Sequence, residues 1–402
     1  MDCHLAPREQ RSLVQPKMSS KYAEAGVDVR KRGIEVFKTT IHNLFPEAFC
    51  VVTQDPDLPG YGLVTHVDSA GSKPVQAYLN WKETGDLSWF GGLAQDVLAM
   101  NLNDISCVGA KPINFVDYVA LNPLRVPKID VLRVLNSGFR ESLATLEHWG
   151  VPVLFSGGET ADLADMLRTL DVSGTLNGRV ELSKVVTGER IEPGDVIIGL
   201  RSGGRTKYEK EENSGIMCNG LTLARLCLMR KDYQHKYPEI ADPEGKGYYG
   251  RFRLDQYLDD LGMTVGEALV SPMRFFAPVV RRILEKCGPQ VTGLVHNMGG
   301  GLTKGLRIGG NIHYVKDDLV EADPIFHLIQ RESGESWKDM FENYNMGIGF
   351  EIICRPEAAE DVLGISQGFG LEGKIIGRCE RSEGEGGNRL TIGSRHGKFQ
   401  YP

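Results

Sequence analysis

The sequence predicts an α/β (α+β) protein of two domains, and three observations carry that prediction. With 402 residues, 41% of them hydrophobic, the chain can fill a core in each of two domains. Apolar runs of strand length alternate with longer amphipathic ones: Ile113–Leu121 as strand, Ile129–Trp149 as helix, Val151–Phe155 as strand. A polar break at Glu189–Asp195, with Pro193-Gly194 inside it, precedes a fresh apolar strand from Val196. That break divides the chain into an N-terminal domain over residues 19–188 and a C-terminal domain over 189–402.

Composition narrows the function classes. A formal charge of -7 and a pI near 5.8 argue against a nucleic-acid binder or a membrane-surface protein, either of which normally carries a basic balance. Eight widely spaced cysteines with no C-x-x-C pair indicate neither zinc nor a disulfide framework, and read as reduced core thiols. With no bilayer-length apolar run and no secretory signal, the expectation is a soluble cytoplasmic protein with no membrane partner. Residues 1–18 read as a disordered tail.

The elements follow in order. A helix is expected around Gly33–Phe45, with Asp28 as a possible cap. Cys50–Gln54 and Leu63–Asp68 read as strands joined by a loop, and Asp68-Ser69-Ala70-Gly71-Ser72-Lys73 as a turn at the second strand's end. Leu93–Pro112 reads as one amphipathic helix with Asp96, Met100, Asn103, Asp104 and Cys107 on a shared face. Gly157-Gly158-Glu159-Thr160-Ala161-Asp162 reads as a second acid-bearing turn, followed by a strand at Leu170–Leu176. Past the domain break, the charged loop Ser202–Ser214 is expected to be mobile. Leu221–Met229 is helical, 230–262 a polar aromatic insertion, Pro272–Cys287 a helix and Val291–Val295 a strand. Three glycines, Gly299, Gly300 and Gly301, follow that strand, and Ile375–Ile392 closes the fold with two strands.

Three acid-bearing segments, two of them rich in glycine, suggest carboxylates gathered around metal ions and phosphates. Small residues at 69–72 let a phosphate approach backbone N–H groups, Lys73 can meet its charge, and Asp68 can hold a metal. Each pattern alone also fits a plain surface turn, and His296 alone fits a satisfied core histidine.

Taken together, these segments resemble the aminoimidazole ribonucleotide (AIR) synthetase family, the phosphoribosylformylglycinamidine cyclo-ligases of purine biosynthesis. Tyr22–Asp28 is similar to the family's Y-x-x-A-G-V-D, Asp68–Lys73 to D-x-x-G-[ST]-K, Asn103-Asp104 to its N-D, and Gly109–Pro112 to G-A-x-P. Gly157–Ala161 matches G-G-E-T-A, Asn219-Gly220 its N-G, Gly299–Gly301 its G-G-G, and Asn345–Gly349 N-x-G-x-G. The resemblance implies a homodimer with the N-terminal strands at its interface and a cleft binding ATP, Mg²⁺ and formylglycinamidine ribonucleotide. It implies Asp68, Asp104 and Glu159 as metal ligands. Lys73, Asp104 and Glu159 would be catalytic, and Gly71, Ser72, Asn103, Gly157, Gly158 and Thr160 would join Asp68 and Lys73 around the triphosphate. Asn219, Gly220 and Gly299–Gly301 would contact the ribotide. Whether K⁺ is also needed stays open.

The chain departs from the pattern twice. The family's S-G-x-H-S-N-G becomes Ser202-Gly203-Gly204, a charged insertion, then Cys218-Asn219-Gly220, without the histidine. The glycine-rich segment before the first acidic turn is replaced by Asp55–Gly60. Competing readings are another ATP-dependent member of the superfamily (thiamine-phosphate kinase, selenophosphate synthetase or the hydrogenase-maturation type) and a non-catalytic nucleotide-binding homologue.

Overall fold

The computed structural model describes residues 20–28, 33, 36, 37, 40–383 and 387–402. The expected tail, residues 1–18, lies outside the described residues. So does part of the helix expected at Gly33–Phe45, and 41–45 run without helix. The first half comprises α1 (Lys21–Glu24), β1 (Thr53–Gln54), β2 (Tyr61–Ser69), α2 (Lys73–Thr84), α3 (Gly92–Ser106), β3 (Lys111–Leu121), α4 (Lys128–His148), β4 (Leu154–Asp162) and β5 (Leu170–Glu181). Its sheet has the order β1-β2-β5-β3-β4. Only β3 and β4, joined through α4, run parallel; the other pairs are antiparallel. The β-α-β rhythm in the sequence is this single crossover, and the sheet is of the mixed α+β type.

Alternation along β5 shows how the sheet is used: Leu170, Val172, Leu176 and Val180 are buried while their neighbours are half-exposed. Helices α3 and α4 pack against each other, and α3 lies on β2 and β5. Apolar residues also emerge into solvent from this unit: Val67, Ile113, Tyr118 and Leu154 are all exposed.

The second half begins at β6 (Val196–Arg201), followed by the short pair β7 (Gly203–Gly204) and β8 (Asn213–Ser214), then α5 (Leu221–Leu228), α6 (Asp232–Lys236), β9 (Tyr257–Leu258), β10 (Met263–Thr264), α7 (Val265–Val270) and α8 (Ala277–Cys287). Next come β11 (Val291–His296), β12 (Ile312–Lys316), α9 (Pro324–Ser333), α10 (Trp337–Asn343), β13 (Ile348–Cys354), α11 (Ala359–Gly368), β14 (Gly373–Arg381), β15 (Arg389–Ser394) and β16 (Gly397–Tyr401). Seven of these strands form one sheet, β11-β13-β6-β14-β12-β15-β16. Every residue of β11 and β13, the two strands at one end of this sheet, is buried.

Three expectations are corrected here. Helix α3 ends at Ser106 and is buried around most of its circumference, Gly92 and Gln95 excepted, so it is a core helix without a solvated face. Gly157–Asp162 is no turn: it forms most of β4, paired with β3 from Asp117↔Gly158 to Leu121↔Asp162. The charged loop after Gly204 is pinned at several points. Tyr208 donates to Phe275 O at 2.7 Å and packs on Trp149 and Phe369, Lys207 donates to Gly368 O at 2.7 Å, and Glu209 pairs with the buried Arg274 at 2.7 Å. The insertion packs across the halves, with Tyr78 donating to Glu239 at 2.6 Å and Arg168 pairing with Asp242 at 3.1 Å.

One buried acid makes stability depend on pH. Asp323 accepts from Arg201 at 2.8 Å through Oδ1, while Oδ2 has no partner. Burial outweighs the nearby arginines and pushes this carboxyl up to about 6. Because the folded value lies above the unfolded one, near 3.9, the folded state holds the proton more tightly. The associated stability is complete below the unfolded pKa and is lost as pH rises through about 6. Asp323→Asn is therefore expected to gain on wild type between pH 5 and 7.5 by on the order of 1 kcal/mol in urea unfolding. A pH-independent difference between the two proteins would remove Asp323 as the source.

Candidate functional site

A cavity of about 650 Å³ opens between the two halves, within the range of small-molecule sites. Its wall includes Tyr22, Phe49, His66, Asp68, Gly71, Ser72, Asp104, Cys218, Asn219, Gly299, Lys304 and Arg307. Of the residues singled out in the sequence, Asp68, Gly71, Ser72, Asp104, Asn219 and Gly299 are thus brought together.

The turn after β2 reaches the cavity because Gly71 has φ +59°, in the left-handed region, and packs near the Cys218 carbonyl. It delivers the chain into α2 at Lys73, with Ser72 at the N-cap making no side-chain cap bond. Helix α5 begins just after the cavity residue Asn219 and contributes Leu221 and Thr222 to the same wall. Two helix N-termini, with their positive dipole ends, therefore converge on one space, which favours an anion there.

Positive side chains add to this field. Lys304 and Arg307 lie three residues apart on the 3₁₀ helix Gly301–Arg307, where residues i and i+3 eclipse, and both line the cavity. Lys304 also sits over the Phe49 ring at 5.1 Å. The turn itself is held from behind by the buried Lys316, which donates to Leu302 O at 2.7 Å and to Glu351 at 2.6 Å.

At the cavity floor, Asp104 is clamped between two imidazoles. His296 Nδ1 lies 2.6 Å from Oδ1, and His66 Nε2 lies 3.1 Å from Oδ2. Burial would push the Asp104 carboxyl up, but hydrogen bonds and charge from His296 and His66 outweigh it and hold the group well below the usual carboxylate range. His66 Nδ1 faces Asn101 Oδ1 at 2.9 Å, and the Asn101 amide is oriented by donating to Val97 O at 2.9 Å. Burial alone would push the His66 imidazole down; the contacts with Asp104 and Asn101 and the charge of Asp68 outweigh that and raise it.

The structure places the other expected residues elsewhere. Lys73 is fully buried and points away from the cavity, donating to Asp96 at 2.6 Å and to Ser271 O at 2.7 Å. Its expected contact with phosphate is replaced by a core ion pair, because Asp96 sits on the adjoining buried helix and needs a counter-charge. Asn103 is likewise committed to the core, accepting from Phe276 N at 2.8 Å and donating to Arg274 O at 2.9 Å. Gly157, Gly158, Glu159 and Thr160 lie on β4, outside this chain's cavity, with Glu159 exposed and accepting from Thr160 N at 2.8 Å. A Cβ at Gly158 would overlap the Asp117 carboxylate.

Gly220, Gly300 and Gly301 stand behind the wall. A side chain at Gly220 would strike the Tyr344 ring, and one at Gly301 the carbonyls of Phe341 and Tyr344. Among the described residues, no three His, Cys, Asp or Glu side chains gather to hold a metal ion, so the expected Asp68, Asp104 and Glu159 cluster does not form within one chain. The donor set fits Mg²⁺ in a narrower way. Beside the clamped Asp104, one further carboxylate, Asp68, lines the cavity, and Mg²⁺ commonly takes one or two carboxylates plus substrate phosphates.

The sequence reading missed His66, Lys304 and Arg307. His66 stands two residues before Asp68 on a strand, hence on the same face, and Lys304 and Arg307 follow the three glycines. For Lys73, the buried pair makes a specific forecast. Lys73→Met strands the Asp96 charge and is expected to cost about 3–5 kcal/mol in urea or thermal unfolding. A phosphate-binding lysine would instead give unchanged stability with weaker nucleotide binding.

Comparison with known proteins agrees with this architecture. Residues 48–180 match the family model for AIR synthase related protein, N-terminal domain. The chain is 33% identical to the phosphoribosylformylglycinamidine cyclo-ligase of Methanocaldococcus jannaschii over 334 residues, covering 82% of each protein. It is 31% identical to that of Methanococcus maripaludis, covering 90% of this chain and 92% of the relative. Among solved structures, a HypE–HypF complex aligns with TM-score 0.55 at 15% identity, over 91% of this chain and 97% of that one. AaThiL complexed with AMPPCP and TMP aligns with TM-score 0.54 at 11% identity, over 92% and 96%. The structural likenesses establish the fold, and the length and level of sequence identity establish the closer kinship: the chain belongs to the phosphoribosylformylglycinamidine cyclo-ligase family.

Proposed function

We propose that this chain catalyses ATP-dependent cyclisation of formylglycinamidine ribonucleotide to aminoimidazole ribonucleotide, with release of ADP and phosphate. The observation that carries the reading is the cavity, where the Asp68–Ser72 turn, two helix N-termini and the cations Lys304 and Arg307 surround one space. Both substrates are phosphorylated, and such a field suits them. In the reaction, the formyl oxygen attacks the γ-phosphate and ADP leaves. The ring-forming nitrogen then adds to the activated carbon, expels phosphate, and loses a proton as the imidazole forms.

A formyl oxygen is a poor leaving group until it is phosphorylated, so the protein's work is positioning and charge neutralisation. Lys304 and Arg307 hold phosphate oxygens, and Asn219 orients the ribotide. Asp104 keeps His66 directed at the cavity floor. Mg²⁺, held by Asp68 together with phosphate oxygens, would neutralise the triphosphate charge.

A homodimer is part of the proposal. The exposed Ile113, Tyr118 and Leu154 side chains, all borne on neighbouring strands β3 and β4, are apolar surface of the kind that association covers. Glu159 and Thr160 lie on the same β4, so pairing of two copies offers them a place near a second cavity. A cytoplasmic location is proposed from the family's reaction alone; among the described residues no helix is long and apolar enough to cross a membrane.

The deciding measurement is phosphate release from Mg-ATP, with and without formylglycinamidine ribonucleotide, while imidazole formation is followed. Ribotide-dependent release with imidazole product is expected; release without the ribotide, or none at all, would refute the assignment. Arg307→Ala is expected to raise KM for the ribotide or ATP about tenfold at unchanged melting temperature. Leu154→Arg is expected to shift the protein from dimer to monomer in light scattering, and a monomeric wild type would remove the dimer from the proposal.

A further inference from the structure

The segment Ser20–Asp28 has no part in the chemistry above, yet it occupies a notable position. It precedes the first sheet in the chain and bonds to the second half. The backbone N–H groups of Lys21 and Tyr22 donate to Glu335 Oε2 at 2.7 and 3.3 Å. These are orphan donors at the start of α1, and Glu335, itself 4% exposed, supplies their acceptor. Its other oxygen accepts from Ser336 N at 3.1 Å.

From there the Tyr22 side chain reaches inward. Its hydroxyl accepts from Gly220 N at 3.2 Å, and its ring stacks on Tyr344 with centroids 6.5 Å apart. Tyr344 donates to Gly220 O at 3.0 Å, so both backbone groups of Gly220 are held by tyrosines. Lys246 of the insertion pairs with Glu24 at 3.1 Å on the outside. Tyr22 and Val27 then form part of the cavity wall that contains Asn219.

We infer that Ser20–Asp28 is a strap closing one wall of the substrate cavity, and that Glu335 is a positioning residue that sets ligand affinity by holding it. Glu335 does not line the cavity; it acts through Lys21 and Tyr22. Without its acceptor oxygen, one buried and one half-buried N–H group lose their partner, and the strap trades its seat for water. The lost wall contacts are those made equally to bound substrate and to transition state, so KM changes and kcat does not.

The inference rests on the proposed function for its kinetic test, and a second measurement is independent of turnover. Hydrogen exchange at the Lys21 and Tyr22 amides is expected to slow in wild type when Mg-ATP or formylglycinamidine ribonucleotide is added. In Glu335→Ala it is expected to be fast with or without either ligand, with partial recovery in Glu335→Gln, which keeps one acceptor oxygen. In the kinetic test, Glu335→Ala should raise KM for at least one substrate about tenfold with kcat within about twofold of wild type. Tyr22→Phe, which keeps the ring and drops the bond to Gly220 N, should raise it about threefold and serves if Glu335→Ala does not fold. Exchange unaffected by either ligand, or wild-type KM in the folded variants, would overturn the strap. Absence of imidazole formation in wild type would refute the proposed reaction and leave the exchange test to decide the strap alone.

Discussion

Helix α3 has almost no solvent face, and that constraint organises the molecule. A polar side chain on such a helix must find a partner in protein or cost the fold the full desolvation of the group. Asp96 finds Lys73, the Met273 amide and the Cys218 thiol; Asn103 finds Phe276 N and Arg274 O; Asp104 finds two histidines. Met273, Arg274, Phe276 and His296 all belong to the second half of the chain. Satisfying the helix therefore docks the halves, and the cavity exists where they meet.

The same requirement sorts the charges. Asp96 on α3 is paired internally with Lys73, and Asp104 is hydrogen-bonded by two imidazoles. Lys304 and Arg307 sit on a turn whose backbone is fixed by the buried Lys316–Glu351 pair. Breaking that pair would leave a buried charge, so the turn is held more firmly than a surface loop of glycines would be. An overall acidic protein thus presents a locally positive site, which matches the -7 formal charge with anionic substrates.

Much of the fold was legible because it depends on periodicity. The alternation of β5, the length of α4 and the largely apolar β11 are local patterns, and the structure follows them with ends shifted by a few residues. Gly157–Asp162 was misread because glycines and acids suggest a turn, whereas pairing with β3 supplies backbone partners that local composition does not reveal. Lys73 was misread for a related reason. A lysine after a glycine turn invites a phosphate, and only the position of Asp96, 23 residues later and across the core, shows that its charge is already committed. The cavity itself draws residues from 22 to 307, and that convergence is set by tertiary packing.

Two charged segments past the domain break follow from the same logic. The loop after Gly204 and the insertion at 230–262 are rich in charge, which in isolation suggests solvated, mobile chain. Each is also held by a buried arginine. Arg274 donates to Glu209 and to the carbonyls of Arg201, Gly203 and Gly204, and Arg225 donates to Tyr248 at 2.7 Å and to Ser72 O at 3.1 Å. Exposed pairs such as Arg168–Asp242 contribute roughly 0–1 kcal/mol each, so they do not account for the ordering. Charge-assisted bonds to carbonyls shielded from water are stronger and geometrically specific. Arg225 is the telling case: it joins the insertion, through Tyr248, to the backbone of Ser72 in the turn after β2. Added chain length has been used to brace the cavity from behind, where it can change the site's rigidity without adding a side chain to its wall.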